Sequence, residues 1–322
     1  MLRPNTCGCA LMGAVHEPPL HCRPVRINGT FHGTLSASQF PQKTLHGNTE
    51  MPIRIGDYLA LDGAKLRYRC WSDGDPPDAV IYLHGIESHS EWFAECAEEI
   101  ARRHAAVYAL DRRGSGMNED SRGHCRDFLQ LVDDVLQFVH LIGSSHARFH
   151  LVALSWGAKL AVAFDMLHPK TIGTLTLIAP GLFPRVMPQV GERISIAVDA
   201  LFRPRSLHPI PITDEMFTSL PKYLAYIAAD PLRLRKVTAR FYLETVRLDR
   251  FLRRRAYQWS AATQVLLAER DAIVDNLRVQ RMFETLKVEP KRISIYEGCN
   301  HSLQFERPVE VANDIIDWMR MG

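Results

Sequence analysis

"HLVALSWGAKLAVAF", residues 150–164, runs from a mostly apolar stretch through one serine into small and aliphatic residues at helical spacing. The five residues before Ser155 read as a buried strand and the nine after it as a helix, so the chain turns at Ser155. So tight a turn needs small residues two positions before and two after the serine, and Ala153 and Gly157 are both small. Two readings fit. Ser155 caps the helix with its hydroxyl, as serines commonly do. Or it is a nucleophile raised on a strained strand-to-helix elbow, usually written Gly-x-Ser-x-Gly, with alanine here in place of the first glycine. Five residues do not decide between them; the surrounding chain bears on the choice.

Working outward, strands and helices alternate. "AVIYLHG" (79–85), "AAVYALDRRG" (105–114) and "IGTLTLIAP" (172–180) read as further buried strands. "SEWFAECAEEIARRH" (90–104) reads as an amphipathic helix opened by a capping Ser90. "RDFLQLVDDVLQFVHLIG" (126–143) reads as a helix stopped by Gly143. Upstream, alternating residues on either side of Asp62-Gly63 predict a hairpin. Downstream, "ATQVLLAERD" (262–271) and "KRISIYEG" (291–298) are strands. "DNLRVQRMFETL" (275–286) and "PVEVANDIIDWMRM" (308–321) are helices. The expected fold class is α/β: a doubly wound, mostly parallel sheet with helices on both faces and an N-terminal hairpin.

The rhythm breaks once. Residues 182–258 contain helical pieces and seven prolines but no clear strand, so the core of 51–181 and 259–322 is expected to carry a helical cap insertion. An insertion after a strand's carboxyl end lies over the face where open α/β sheets bind ligands, which makes it a candidate lid. It holds fourteen basic and seven acidic residues, a surplus of +7 that leaves −4 for the rest of a chain whose net charge is +3. Such a surface attracts an anionic head group or membrane surface; the plainer reading is a solvated helical face with i,i+4 pairs. Its apolar faces, "ISIAVDALF" (194–202) and "TARFYLETV" (238–246), read as core contacts.

Composition bounds the rest. With 322 residues, 46% hydrophobic and 23% charged, the chain suits a globular protein able to bury a core without disulfides. Seven cysteines in no framework spacing suit reduced thiols and a cytoplasmic setting. Residues 1–50 show no sustained period and read as a disordered leader, with secretion the lesser alternative. Cys7, Cys9, His21 and Cys22 lack the paired spacing of zinc sites, so no metal is expected. No apolar run reaches the roughly 18–20 residues of a membrane-spanning helix.

A serine nucleophile needs a base, an acid to orient the base, and donors for the oxyanion. Asp271 ends the strand of 262–271, and His301 follows the last strand in "YEGCNHSLQF". With Ser155 they form the order Ser, Asp, His, each at a strand end. Asp275 competes with Asp271, but it precedes a helix and is explained by capping it. His84-Gly85 closes the strand after the hairpin, where one oxyanion donor is expected from the backbone N–H of Ile86; the other is the N–H of Trp156. Gly85 permits close approach of the backbone. Cys299, two residues before His301, either tunes the site or packs.

On these residues the chain from about Ile53 onward resembles the α/β-hydrolase superfamily, and within it the monoacylglycerol lipase and lysophospholipase-like branch, the serine aminopeptidase S33 group. That branch carries H-G-x-G-E-H, D-x-x-G-x-G and G-x-S-x-G; this chain reads "HGIESH", "DRRGSG" and "ALSWG". His84, Gly85 and His89 match the first motif, with Glu87 and Ser88 replacing its Gly and Glu. Asp111, Gly114 and Gly116 match the second. The resemblance implies a cofactor-free serine esterase acting on lipid-like esters through Ser155, Asp271 and His301, with Ile86 and Trp156 as oxyanion donors and His84, Gly85 and Gly157 as support. The variable insertion leaves peptidase, thioesterase or acyltransferase activity on the same triad open. The altered loop and Ala153 leave open a catalytically silent binding protein. Partners are expected to be small-molecule or lipid esters, with transient membrane contact through the basic lid and no nucleic acid.

Overall fold

The computed structural model describes residues 51–321 apart from Asp73. The leader, with its secretion alternative, and the Cys7, Cys9, His21, Cys22 set lie outside the described residues.

Eight strands form one sheet: β1 (Ile53–Leu59), β2 (Lys65–Trp71), β3 (Asp78–Leu83), β4 (Ala106–Leu110), β5 (Arg148–Leu154), β6 (Thr174–Ile178), β9 (Ala262–Ala268) and β10 (Lys291–Tyr296). Their spatial order is β1-β2-β4-β3-β5-β6-β9-β10. The hairpin β1–β2 and the β2–β4 pair are antiparallel; the remaining pairs run parallel. Side chains alternate faces along each strand. Ala79, Ile81 and Leu83 of β3, with Leu151 and Ala153 of β5, enter one core. Val80, Tyr82, Val152 and Leu154 enter the other. The first core packs under α2 (Phe128–Ile142), α3 (Trp156–Leu167) and α8 (Asn276–Thr285). The second packs under α1 (Ala94–Ala101) and α10 (Pro308–Met319). Burial on both faces is why the central strands read as continuous apolar runs. A short helix, α9 (Leu303–Glu306), precedes α10.

Between β6 and β9 the chain makes α4 (Val190–Phe202), α5 (Asp214–Phe217), α6 (Pro221–Ala229) and α7 (Ala239–Arg255). It also makes what the sequence reading left out, a short antiparallel ribbon of β7 (Leu207–Pro209) and β8 (Lys236–Thr238). Three-residue strands are too short to give a period-2 pattern, and two prolines sit beside or within β7.

Two further expectations are corrected. Ser90 does not cap a helix. His89 is the cap of a short 3-10 turn over Ser90–Phe93, α1 starts only at Ala94, and the Ser90 hydroxyl accepts from Arg69. The helix of 126–143 does stop where expected: α2 ends at Ile142 and Gly143 is its cap residue, in ordinary right-handed conformation. Residues 194–202 are a core contact only in part: Ile196 is buried, but Ile194, Val198, Leu201 and Phe202 are exposed, the last two at 77% and 78%. In 238–246, by contrast, Ala239 and Phe241 are buried as expected. Part of the insertion's positive charge is paired within it, Arg203 with Asp199 and Arg240 and Arg247 with Glu244.

Candidate active site

The carboxyl ends of β5, β9 and β10 lie on one edge of the sheet, and Ser155, Asp271 and His301 follow those ends. Parallel pairing of β5 to β6, β6 to β9 and β9 to β10 makes this a consequence of topology rather than of sequence proximity.

Ser155 has φ 52° and ψ −118° and makes no side-chain capping bond. A residue with a Cβ is strained at positive φ, and a helix cap has no need of that strain. The turn is held by backbone bonds on both sides: Ser155 N–H donates to Ile178 O at 2.9 Å, and Ser155 O accepts from Gly181 N–H at 2.8 Å. The elbow's close contacts fall at the glycines. A Cβ on Gly157 would stand 2.5 Å from Leu83 O and 2.6 Å from His84 O. Ala153, in the first-glycine position, is fully buried in the core shared with α3.

Asp271 is 3% exposed and fully committed. Its Oδ1 accepts from Ile273 and Val274 N–H at 2.8 and 2.9 Å, and its Oδ2 bonds His301 Nδ1 at 2.8 Å. Two backbone donors therefore fix the carboxylate that orients the imidazole. His301 Nε2 is buried and has no protein partner. Asp275 instead accepts from Arg278 N–H and caps α8. Cys299 is buried and packs in the second core, and burial raises its thiol, so it is an inert packing residue.

The loop after β3 lies against the elbow: a Cβ on Gly85 would be 3.4 Å from Ser155 Cβ. His84 Nε2 accepts from Arg112 N–H at 2.9 Å, so its Nδ1 carries the proton and donates to Gly85 O at 2.7 Å. Burial, reinforced by the Arg112 charge, holds His84 well below the usual histidine range, so the ring is neutral. Asp111 accepts from Ser90 N–H at 2.7 Å and Met117 N–H at 2.8 Å. Gly116, at φ +55°, leaves no room for a side chain beside that carboxylate. Trp156 begins α3, so its N–H has no acceptor within the helix; its indole donates to Thr245 Oγ1 at 3.1 Å on α7.

The two unusual loop residues differ in fate. Glu87 meets the insertion: its carboxylate pairs with Arg233 at 2.5 Å and its carbonyl accepts from Leu234 N–H at 2.9 Å. Burial pushes the Glu87 carboxyl up to about 7, with Arg233 pulling the other way. Ser88 Oγ is buried without a partner. His89 Nε2 and Trp92 Nε1 both bond Asp230 Oδ2, at 2.8 and 2.7 Å. Phe217 of the insertion stands 6.2 Å from the His301 ring. Sequence reading missed these insertion residues because nothing in their spacing links them to the loop. Arg112 was missed although it lies inside "DRRGSG"; a cation next to the motif's aspartate was the available signal.

Among the described residues no cluster of three or more His, Cys, Asp or Glu is arranged to hold a metal, and no helix is long and apolar enough to cross a membrane.

A family model described as "Serine aminopeptidase, S33" matches residues 74–308. Human monoglyceride lipase is 25% identical over 288 residues, which cover 87% of this chain and 95% of that protein. The Rattus norvegicus monoglyceride lipase is 23% identical over 261 residues, 79% of this chain and 85% of its own. The crystal structure of Paleococcus ferrophilus monoacylglycerol lipase superposes with a TM-score of 0.72 at 19% identity, over 79% of this chain and 98% of that one. A soluble variant of Saccharomyces cerevisiae monoglyceride lipase, solved with a substrate analogue, gives 0.74 at 17%, over 84% and 96%.

Proposed function

The chain belongs to the serine aminopeptidase S33 family and has the α/β-hydrolase fold; from that premise we propose that it hydrolyses carboxylic esters of lipid type, monoacylglycerols or lysophospholipids, through Ser155, His301 and Asp271. The observation that carries the reading is the Asp271–His301 bond of 2.8 Å together with a serine at φ 52° at the same carboxyl edge of the sheet. One nitrogen of the imidazole is bound and the other is buried without a partner on the edge where Ser155 stands.

In this reading His301 Nε2 takes the Ser155 proton as Oγ attacks the ester carbonyl, and Asp271 stabilises the imidazolium. Negative charge on the carbonyl oxygen is met by the Ile86 and Trp156 N–H groups, each worth about 3 kcal/mol of barrier by analogy with known donors. The imidazolium returns its proton to the departing alcohol, and water, activated by the same histidine, releases the acid. Neither metal nor organic cofactor enters these steps. The insertion, residues 182–258, is the proposed lid, because Phe217 stands near His301 and Trp156 is tied to α7.

The lipid assignment has a second support. Val190, Ile194, Val198, Leu201 and Phe202 recur along α4 at helical spacing and are all exposed. We propose that this face contacts the lipid surface from which substrate is drawn. A panel of monoacylglycerols, lysophosphatidylcholines and aminoacyl arylamides over several chain lengths tests the function. Turnover is expected on the lipid esters, lost in Ser155→Ala. Turnover on the arylamides alone would overturn the ester assignment.

A further inference from the structure

A cation in a protein interior is costly unless a partner offsets it. Arg112 is 8% exposed, and its donors go to neutral acceptors: Nη1 to Gly85 O at 3.1 Å, Nη2 to Ile86 O at 3.1 Å and to Ser115 Oγ at 2.8 Å. Its Nε is buried with no partner. The guanidinium lies 4.8 Å from the Trp156 ring centroid and 5.2 Å from that of Phe241, so one ring of the elbow and one of the insertion enclose it. Other buried arginines here face carboxylates, Arg69 meeting Asp111 and Arg233 meeting Glu87. Burial without such a partner lowers the Arg112 guanidinium to about 10, which still leaves it charged at neutral pH.

The acceptors matter. Gly85 O belongs to the same planar peptide unit as the Ile86 N–H, and in a trans peptide the two point in opposite directions. That oxygen is held twice, by Arg112 Nη1 and by the Nδ1–H of neutral His84 at 2.7 Å. Fixing the oxygen fixes the opposite end of the unit. A cation on the carbonyl also polarises the peptide, so its N–H becomes a stronger donor. Gly85 allows the unit to approach Ser155 this closely, since a Cβ there would already stand 3.4 Å from Ser155 Cβ and 3.1 Å from Ser88 Oγ.

We infer that Arg112 is a positioning residue for the oxyanion site: with His84 it clamps the Gly85–Ile86 peptide so that the Ile86 N–H is aimed and polarised toward the oxygen charged during attack by Ser155. The inference rests on the serine-hydrolase reading and adds to it a residue that touches neither substrate nor nucleophile. Its effect belongs to the transition state, where the charge is. Removing Arg112 therefore lowers kcat and leaves KM nearly unchanged.

The test compares wild type, Arg112→Met and Arg112→Lys for hydrolysis of a short p-nitrophenyl ester and for inhibition by an alkyl boronic acid, whose serine adduct is tetrahedral and anionic. Arg112→Met is expected to lose roughly 10- to 100-fold in kcat, less than the loss of a donor itself. KM stays within about twofold, and boronate affinity falls by the same factor as kcat. Arg112→Lys, which keeps the charge but loses the fork, is expected to fall between the two. A rise in KM with kcat unchanged, equal damage in both variants, or boronate affinity retained while kcat falls would each refute the clamp. If Arg112→Met does not melt cooperatively, Arg112→Lys carries the comparison alone: parallel losses support the clamp and unequal losses refute it. Wild type without Ser155-dependent turnover would remove the hydrolase reading and the clamp together. A normal wild type matched by Arg112→Met removes only the clamp.

Discussion

Replacing Ser155 by glycine should stabilise the protein relative to replacing it by alanine, the reverse of what glycine does almost everywhere else. The reason is the backbone at φ 52°, ψ −118°. Holding a residue with a Cβ in such a region costs on the order of 1–3 kcal/mol; about 2 is a working value. Alanine keeps the Cβ and the strain, whereas glycine removes both. Against that gain stand roughly 0.5–1 kcal/mol for glycine's larger conformational freedom when unfolded, and the small buried area of one carbon. The net is about 1 kcal/mol in favour of glycine, or roughly 2–4 °C in Tm for a domain of this size. Ala197, exposed on α4, supplies the control, since Ala197→Gly should cost about 1 kcal/mol. Thermal melts of Ser155→Gly, Ser155→Ala, Ala197→Gly and wild type give all the differences needed. If Ser155→Gly melts at or below Ser155→Ala, the turn is unstrained and the elbow argument loses its basis.

Other outcomes follow from the same geometry. Gly157→Ala places a Cβ within 2.6 Å of two backbone oxygens, so it should lower stability by about 1–3 kcal/mol and displace the His84 loop, while Ala153→Gly keeps activity within a few fold; melts and kcat for the two variants check this. Asp271→Asn should cost about 10³–10⁴-fold in kcat and Asp275→Asn less than about threefold, the latter appearing as about 1 kcal/mol of lost helix capping; comparable kcat losses would undo the acid assignment. His84 is held neutral with its folded pKa below the unfolded value of about 6.5, so its contribution to stability is complete above that pH and drains away as pH falls. One pH unit below, up to about 1.4 kcal/mol is gone, and His84→Gln should show a shallower fall of Tm between pH 7.5 and 5.5 than wild type; an unchanged slope would contradict the buried neutral ring. Leu201→Ser with Phe202→Ser should leave turnover of a soluble p-nitrophenyl ester near wild type but weaken sedimentation with phosphatidylcholine vesicles carrying monoacylglycerol; unchanged sedimentation would remove the lipid-contact role of α4.

The sheet was legible in the sequence because strands buried on both faces leave long apolar runs, and β3, β5 and β9 are such strands. Asp62-Gly63 marked the hairpin for the same local reason, a turn chemistry few other residues supply. The order of Ser155, Asp271 and His301 could be read because each follows its own strand. What fixes them could not: the two N–H donors to Asp271 Oδ1 and the carbonyl clamp of Arg112 depend on loop conformation. The insertion was legible only as a helical interruption. Periodicity marks α4 as amphipathic but does not say whether the chain or something else covers its apolar face, and here the chain leaves Leu201 and Phe202 bare. Glu87 looked like a defect in a family motif; in three dimensions it is half of a buried pair with Arg233, 146 residues away. The missing glycine at position 153 carried less information than its place in the motif suggested, because the tight backbone contacts of the elbow fall at Gly157 and Gly181.

The central claim is that Ser155 is a nucleophile activated by His301. Mass spectrometry of the intact protein and its peptides after treatment with a fluorophosphonate tests it most directly. The account predicts one adduct on the peptide carrying Ser155, abolished in Ser155→Ala and slowed by at least about a hundredfold in His301→Ala. An unlabelled wild type, or an adduct that persists in Ser155→Ala, would contradict it.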